Sequence, residues 1–233
     1  MAAARQPAFY ISHGGGPSFW IRYPSPIGAH GFDSLRDFLA DLPGTLPAPP
    51  TAFLVVSAHW ETPVPTVSTS PAPGMLYDYF GFPPIAYELQ HPAPGSPALA
   101  ARIRELLTAA GIPSASDPER GFDHGVFVPM KIVDPGALTP TVMLSVRHDL
   151  DPGFHLDLGH ALAPLRDEGV VIIGSGSSFH NLRTYFDGQP HEAKAFDDWL
   201  TAAATAPPAE HCQRLIDWKA APSARAAHPR EEH

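Results

Sequence analysis

With 233 residues, 44% of them hydrophobic, the chain is long enough to bury a sizeable core. Its formal charge of −9 excludes nucleic acid or an anionic membrane as the main partner, because either needs a net basic footprint. The single cysteine, Cys212, excludes an internal disulfide framework and a thiolate metal cluster built by one chain.

In chain order, Ala8–Ile11 reads as a first strand that runs into His13 and the glycines 14 to 16. Asp33–Leu42 carries leucine and phenylalanine at helical spacing, and Pro43 stops it. Ala52–Ser57 is a second strand, ending at His59 and Trp60, and Thr66–Ser70 alternates like a third. The proline-rich stretch from Pro63 to Pro97 carries Tyr77, Tyr79, Phe80, Phe82 and Tyr87, a density that suits a loop wall over a pocket. Ser96 and Pro97 open a helix that runs to Ala110, with Gly111 as its stop. Thr141–Val146 is a β-branched strand, His155–Arg166 a helix, and Val170–Ile173 a strand after Gly169. Two helices, His191–Thr205 and Ala209–Ala220, close the chain. Strands alternating with helices along the whole length indicate one α/β domain, a central mixed sheet flanked by helices on both faces. The N-terminus lacks the apolar core of a signal peptide, and no stretch approaches the ~18–20 apolar residues of a membrane span. The expected setting is cytoplasmic, and the expected partner is a small molecule.

Thirteen histidines accompany only fifteen lysines and arginines, and His13, His59 and His180 each follow a short apolar run. In open α/β sheets ligands gather outside the carboxyl ends of the strands, so three strands can bring three imidazoles to one edge. Imidazole binds zinc, copper, nickel and iron. Each residue also has an ordinary reading: His13 capping a turn, His59 packing beside Trp60, His180 hydrogen-bonded at a strand-to-helix turn. The glycines after His13 lack the Gly-Lys-Ser/Thr of a phosphate loop, and Gly174-Ser175-Gly176 has the wrong spacing for a nucleophile elbow. His30, His91, His155, His160, His191 and His211 have no motif around them and read as surface or helix residues.

Five short motifs occur in a fixed order. They are Ser12-His13-Gly14, Ser57-Ala58-His59-Trp60, Asp123-His124-Gly125, Gly174-Ser175-Gly176 leading to His180-Asn181-Leu182, and His228-Pro229 leading to Glu232-His233. The series resembles the class III extradiol ring-cleavage dioxygenases, in the branch of 4,5-DOPA dioxygenase, from Ala8 to the last residue. The resemblance implies an enzyme that opens a DOPA-like or other ortho-diphenol with O₂ at non-haem Fe(II), sometimes isolated with zinc, giving a muconic semialdehyde. It makes His13 and His59 metal ligands, His180 the acid/base residue and a possible metal contact, and His124 a residue lining the substrate and oxygen pocket. His233 matches the remaining ligand, with His228 as the alternative. Asp123 is expected beside the substrate, orienting His124, or else merely closing an Asx-turn. Arg22, Arg147 and His148 are lesser candidates for a substrate carboxylate. Relatives continue with an apolar helix, so residues 1–233 are expected to form a single catalytic domain lacking its C-terminal helix. Two other readings stay open: a zinc hydrolase using the same histidines to acidify a water, and a binding protein with a closed structural metal.

Overall fold

The computed structural model of the chain describes residues 4–25, 27–184 and 190–230. Its centre is a six-stranded mixed sheet built from β1 (Ala8–Ser12), β2 (Ala52–Thr62), β3 (Thr66–Ser68), β4 (Ala115–Asp117), β5 (Thr141–Arg147) and β6 (Val170–Gly176). The order across the sheet is β1-β6-β2-β5-β3-β4. β1, β6, β2 and β5 run parallel, so their carboxyl ends share one edge, while β3 meets β5 antiparallel.

Side chains alternate across a strand with period two, and here both sets are apolar. Phe53 and Val55 of β2, Met143 of β5, and Val171 and Ile173 of β6 enter one core with Leu39 of α1 (Asp33–Asp41) and Val126, Phe127 and Met130. Leu54, Val142, Leu144 and Val170 enter the other core. There they meet Leu99, Ile103 and Leu107 of α2 (Pro97–Ala109) and Leu158 and Leu162 of α4 (Pro152–Leu162). The fold is α/β with helices on both faces.

The ends of the elements follow local chemistry. Ser96 caps α2, its hydroxyl accepting from Leu99 N at 3.2 Å, and Gly111 turns the chain at φ +73°. α4 begins three residues before the expected His155, because Asp151 accepts from Phe154 N at 2.6 Å and Pro152 sits at the first helical position. It ends earlier too, and Ala163–Glu168 tightens into a 3₁₀ turn stopped by Gly169 at φ +87°.

α3 (His124–Val133) was not expected at all; it is buried nearly all round and carries Pro129 inside it, so it shows neither an amphipathic stripe nor an uninterrupted run. The helices α5 (Pro190–Ala204) and α6 (Pro208–Ile216) match expectation, except that Trp218–Ala220 forms a separate 3₁₀ turn. The short α7 (Ala224–Ala227) joins Phe196 of α5 and Phe179 in a small third core. No helix among the described residues is long and apolar enough to cross a membrane.

Candidate metal centre

Three local features bring the histidines together. His13 leaves β1 at its carboxyl end, where its N–H donates to Gly176 O of the neighbouring β6 at 3.2 Å. β2 carries a bulge: Ser57 pairs with Ser145 of β5, but the next matched pair is Glu61 with Val146, so residues 58–60 loop out. Such a bulge re-aims side chains, and here it turns His59 to the sheet edge. His124 is the first residue of α3, set against the same edge by the packing of α3 on β2 and β6.

The result is one cluster. His59 Nε2 lies 2.9 Å from His13 Nε2, and one ligating atom from each of His13, His59 and His124 falls within 4.8 Å of the others. The His59 and His124 rings are 3.9 Å apart at their centroids.

Their partners decide which nitrogens can ligate. His124 Nδ1 meets Asp78 Oδ1 at 2.8 Å; a carboxylate only accepts, so Nδ1 carries the proton and Nε2 keeps its lone pair. The same oxygen accepts from His124 N at 3.0 Å, so Asp78 also caps α3. Its second oxygen lies 4.0 Å from His59 Nδ1. Burial works to raise the Asp78 carboxyl, but the hydrogen bonds and charge of His124 outweigh it and hold the group below the ordinary carboxylate range. Burial, reinforced by His124, pushes the His59 imidazole down to about 3. A neutral imidazole is the form that binds a metal.

The donor set fits a metal. Two imidazole nitrogens 2.9 Å apart must share either a proton or a cation. Metal–nitrogen bonds of roughly 2.0–2.1 Å let one ion reach both.

Behind the cluster lies a buried polar network. Asp123 has no exposure. It occupies the N-cap position of α3, yet its side chain caps nothing there. It accepts instead from Ser57 Oγ at 2.7 Å and from Arg120 Nη2 at 2.9 Å. Ser57 Oγ in turn accepts from His59 N at 3.2 Å. Burial and the nearby Asp78 charge raise the Asp123 carboxyl, against the pull of Ser57 and Arg120. The Arg120 guanidinium lies 5.1 Å from the Trp60 ring centroid.

The cluster forms the base of a cleft of about 920 Å³. Gly14, Gly15 and Gly16, the aromatics Tyr79, Phe80 and Phe82, and Ser177, His180 and Leu182 line it, with Gly16 set against Phe82 and Tyr79. Phe80 is 90% exposed, an apolar ring held at the opening. Arg230 and Glu61 also line it, paired at 2.7 Å.

Of the expected site residues, the structure brings His13, His59, His124 and His180 to one cleft and places Asp123 and His228 elsewhere. Asp123 does not line the cleft, because Ser57 and Arg120 hold it in the interior, and the carboxylate orienting His124 is Asp78. His124, expected as a pocket residue, lines the cleft and also places a ring nitrogen in the three-histidine group that could hold a metal. The alternative ligand His228 stands apart: its Nε2 meets Ser178 O at 3.1 Å, and its ring packs against Phe196 and Trp218 beside a separate cleft of about 450 Å³. His233 lies outside the described residues.

Among the residues with no assigned motif, His91 is buried rather than at the surface. Arg147 pairs with Asp149 instead of facing the cleft, and the arginine at the cleft is Arg230. Asp78 and Arg120 escaped sequence reasoning, and Ser57 entered it only as part of the motif around His59. The available signal for Asp78 was a lone acid between Tyr77 and Tyr79 in an aromatic loop.

Residues 7–233 match the family model described as the catalytic LigB subunit of aromatic ring-opening dioxygenase. The chain is 39% identical to a 4,5-DOPA dioxygenase extradiol of Portulaca grandiflora over 97% of its length and 82% of the relative's. It is 45% identical to the protein of that name in Beta vulgaris, over 79% of this chain and 69% of the relative, and 38% identical to that of Escherichia coli K12, over 88% and 73%. A crystal structure of an uncharacterized protein from Escherichia coli K12 superposes with a TM-score of 0.73 at 32% identity, covering 97% of this chain and 84% of that one. With a cleft built over a three-histidine metal site and a family match spanning nearly its whole length, the chain belongs to the LigB family and is an aromatic ring-opening dioxygenase of the extradiol kind.

Proposed function

We propose that the substrate is a DOPA-like or other ortho-diphenol, that the metal is Fe(II), and that His13, His59 and His124 hold it while His180 moves the proton. The observation carrying this reading is three imidazoles, with two of their partners already assigned, at the base of a cleft walled by Tyr79, Phe80 and Phe82. Iron held by these histidines would bring diol and O₂ together and let electron density pass between them, which overcomes the spin barrier to direct reaction of triplet oxygen with a singlet catechol. Zinc in the same ligands lacks that redox step.

The chain's own residues do the rest. The aromatic wall packs against a flat ring, and Gly16, where a Cβ would lie 3.0 Å from the Phe82 ring, lets the backbone sit close against that wall. At least one hydroxyl of the diol must lose its proton near neutral pH. An imidazole, with an ordinary pKa of about 6.5, suits the transfer of that proton to and from the ring carbon's oxygen. Among the described residues His180 lines the cleft beside the three-nitrogen group rather than in it, and its backbone N–H donates to Ala227 O at 3.0 Å.

The expected outcome for His180→Gln is a turnover lowered about 10²–10⁴-fold with metal content near that of the parent. Loss of metal in that variant makes His180 a ligand instead. His124→Ala and His233→Ala, assayed for metal content side by side, test the third ligand: loss of metal in the first supports His124, and loss only in the second moves the ligand to the end of the chain.

A further inference from the structure

On the remaining ring, His13, the Nδ1 nitrogen meets Ser175, and the sequence around it poses a question of hydrogen-bond direction. Ser175 Oγ lies 3.0 Å from His13 Nδ1 and also bonds Gly125 O. A hydroxyl has one proton to give. A carbonyl oxygen cannot donate, so the Ser175 hydroxyl gives its proton to Gly125 O and must accept from His13.

The reason Gly125 O needs that proton lies four residues on. In an α-helix the carbonyl of residue 125 accepts from the N–H of residue 129, and residue 129 is proline. Pro129 has no N–H to give, and its ring pushes the carbonyl four residues back away from the helix axis. Gly125 is fully in the interior, where an unpaired carbonyl is costly. Ser175, at the carboxyl end of β6, satisfies it.

We infer that Pro129 and Ser175 together set the tautomer of His13: the carbonyl that Pro129 leaves open claims the Ser175 proton, Ser175 Oγ then accepts from His13 Nδ1–H, and the lone pair is left on the Nε2 that faces the metal position. Both are positioning residues, since neither is in the ligating cluster. The helix-internal proline, which costs a helix stability, has its use here. Without it, the residue-129 N–H draws the Gly125 carbonyl back into the helix, and the Ser175 hydroxyl can rotate to donate to His13 Nδ1, which moves the imidazole proton to Nε2.

The inference rests on the reading of His13 as a metal ligand, and the experiment separates the two. Metal-free protein carrying ¹⁵N-labelled histidine reports by NMR which nitrogen of His13 is protonated, and competition with a chromophoric chelator gives Zn(II) and Co(II) affinities. For the parent, His13 protonated on Nδ1 is expected. Ser175→Ala and Pro129→Ala are each expected to mix the tautomers and weaken metal binding about 10–100-fold, while Ser175→Thr, which keeps the hydroxyl, stays nearer the parent.

Pro129→Ala is the sharper variant, because removing a helix-internal proline favours the helix. Thermal stability of the metal-free protein is expected to hold or rise as metal affinity falls, a combination that a purely structural role does not give. Parent-like affinity in both Ser175→Ala and Pro129→Ala, or a parent His13 protonated on Nε2, overturns the inference and leaves the metal site standing. If His13→Ala binds metal as tightly as the parent, the reading of the site itself fails.

Discussion

Asp78 joins three tasks in one carboxylate: it fixes the His124 tautomer, caps the first N–H of α3, and faces His59. Both His124 contacts fall on one Asp78 oxygen, so Asp78→Asn keeps an acceptor for them but loses the charge that favours His124 Nδ1–H. Metal affinity is expected to fall about 10–100-fold, as for other groups that orient a ligating histidine. Equilibrium dialysis against zinc checks this, and parent-like affinity contradicts it.

His91 works on stability instead. It is 1% exposed, and neither ring nitrogen has a hydrogen-bond partner among the described residues; burial pushes its imidazole down to about 4. Between pH 4 and the ordinary value of about 6.5, the unfolded chain binds a proton there that the folded chain does not. Stability from this group is therefore full above pH 6.5 and declines as the pH falls toward 4, by up to about 3 kcal/mol. Replacing it with leucine should flatten the fall in melting temperature between pH 7 and pH 4.5; an unchanged slope counts against the assignment. Nothing near His91 in the sequence marks it as buried, because its burial comes from packing of the aromatic loop.

At the scale of elements, the bulge in β2 and the start of α3 are one joint. Gly125 sits where they touch, and a Cβ added there lies 2.7 Å from Ser57 Oγ, 3.1 Å from Asp123 Oδ1 and 3.3 Å from His59 Cδ2. In an isolated helix alanine is preferred over glycine by about 1 kcal/mol. Here that preference is expected to reverse, because the methyl forces apart the contacts between Ser57, Asp123 and His59. Gly125→Ala should lower both melting temperature and metal affinity, by calorimetry and chelator competition, and a more stable variant with intact binding sinks the idea.

The same joint marks the limit of what sequence patterns carry. Strand residues such as Val55 and Ile173 announce themselves by β-branched apolar runs, and Ser96, Pro97 and Gly111 frame α2 by local chemistry. α3 has no polar face to set a period, and the bulge that aims His59 depends on the register with β5, which no local pattern encodes. The motifs around His13, His59 and His180 were readable because each follows a strand. The partners Asp78 and Arg120 come from loops, and only the folded chain brings them close.

On the scale of the molecule, the histidine cluster lies at the edge of a sheet whose two apolar cores are built elsewhere, around residues such as Phe127 and Met130 on one face and Leu54 and Leu107 on the other. Removing the metal therefore takes away activity without the scaffold. Dialysis against a chelator is expected to abolish turnover reversibly while far-ultraviolet circular dichroism stays unchanged; unfolding on chelation would mark the metal as structural. The aromatic loop lines the cleft beside the cluster, with Phe80 exposed to solvent and Arg230 also in the lining.

The central claim, ring opening of an ortho-diphenol by O₂ at this cluster, is tested most directly by oxygen uptake. Metal-free protein is loaded anaerobically with Fe(II), mixed with DOPA or catechol, and exposed to air, beside samples loaded with Zn(II) and a His13→Ala, His59→Ala double variant. The account predicts uptake of one O₂ per diol with a yellow ring-opened product in the iron sample alone. No uptake with iron across a panel of catechols, or equal uptake by the double variant, would contradict it.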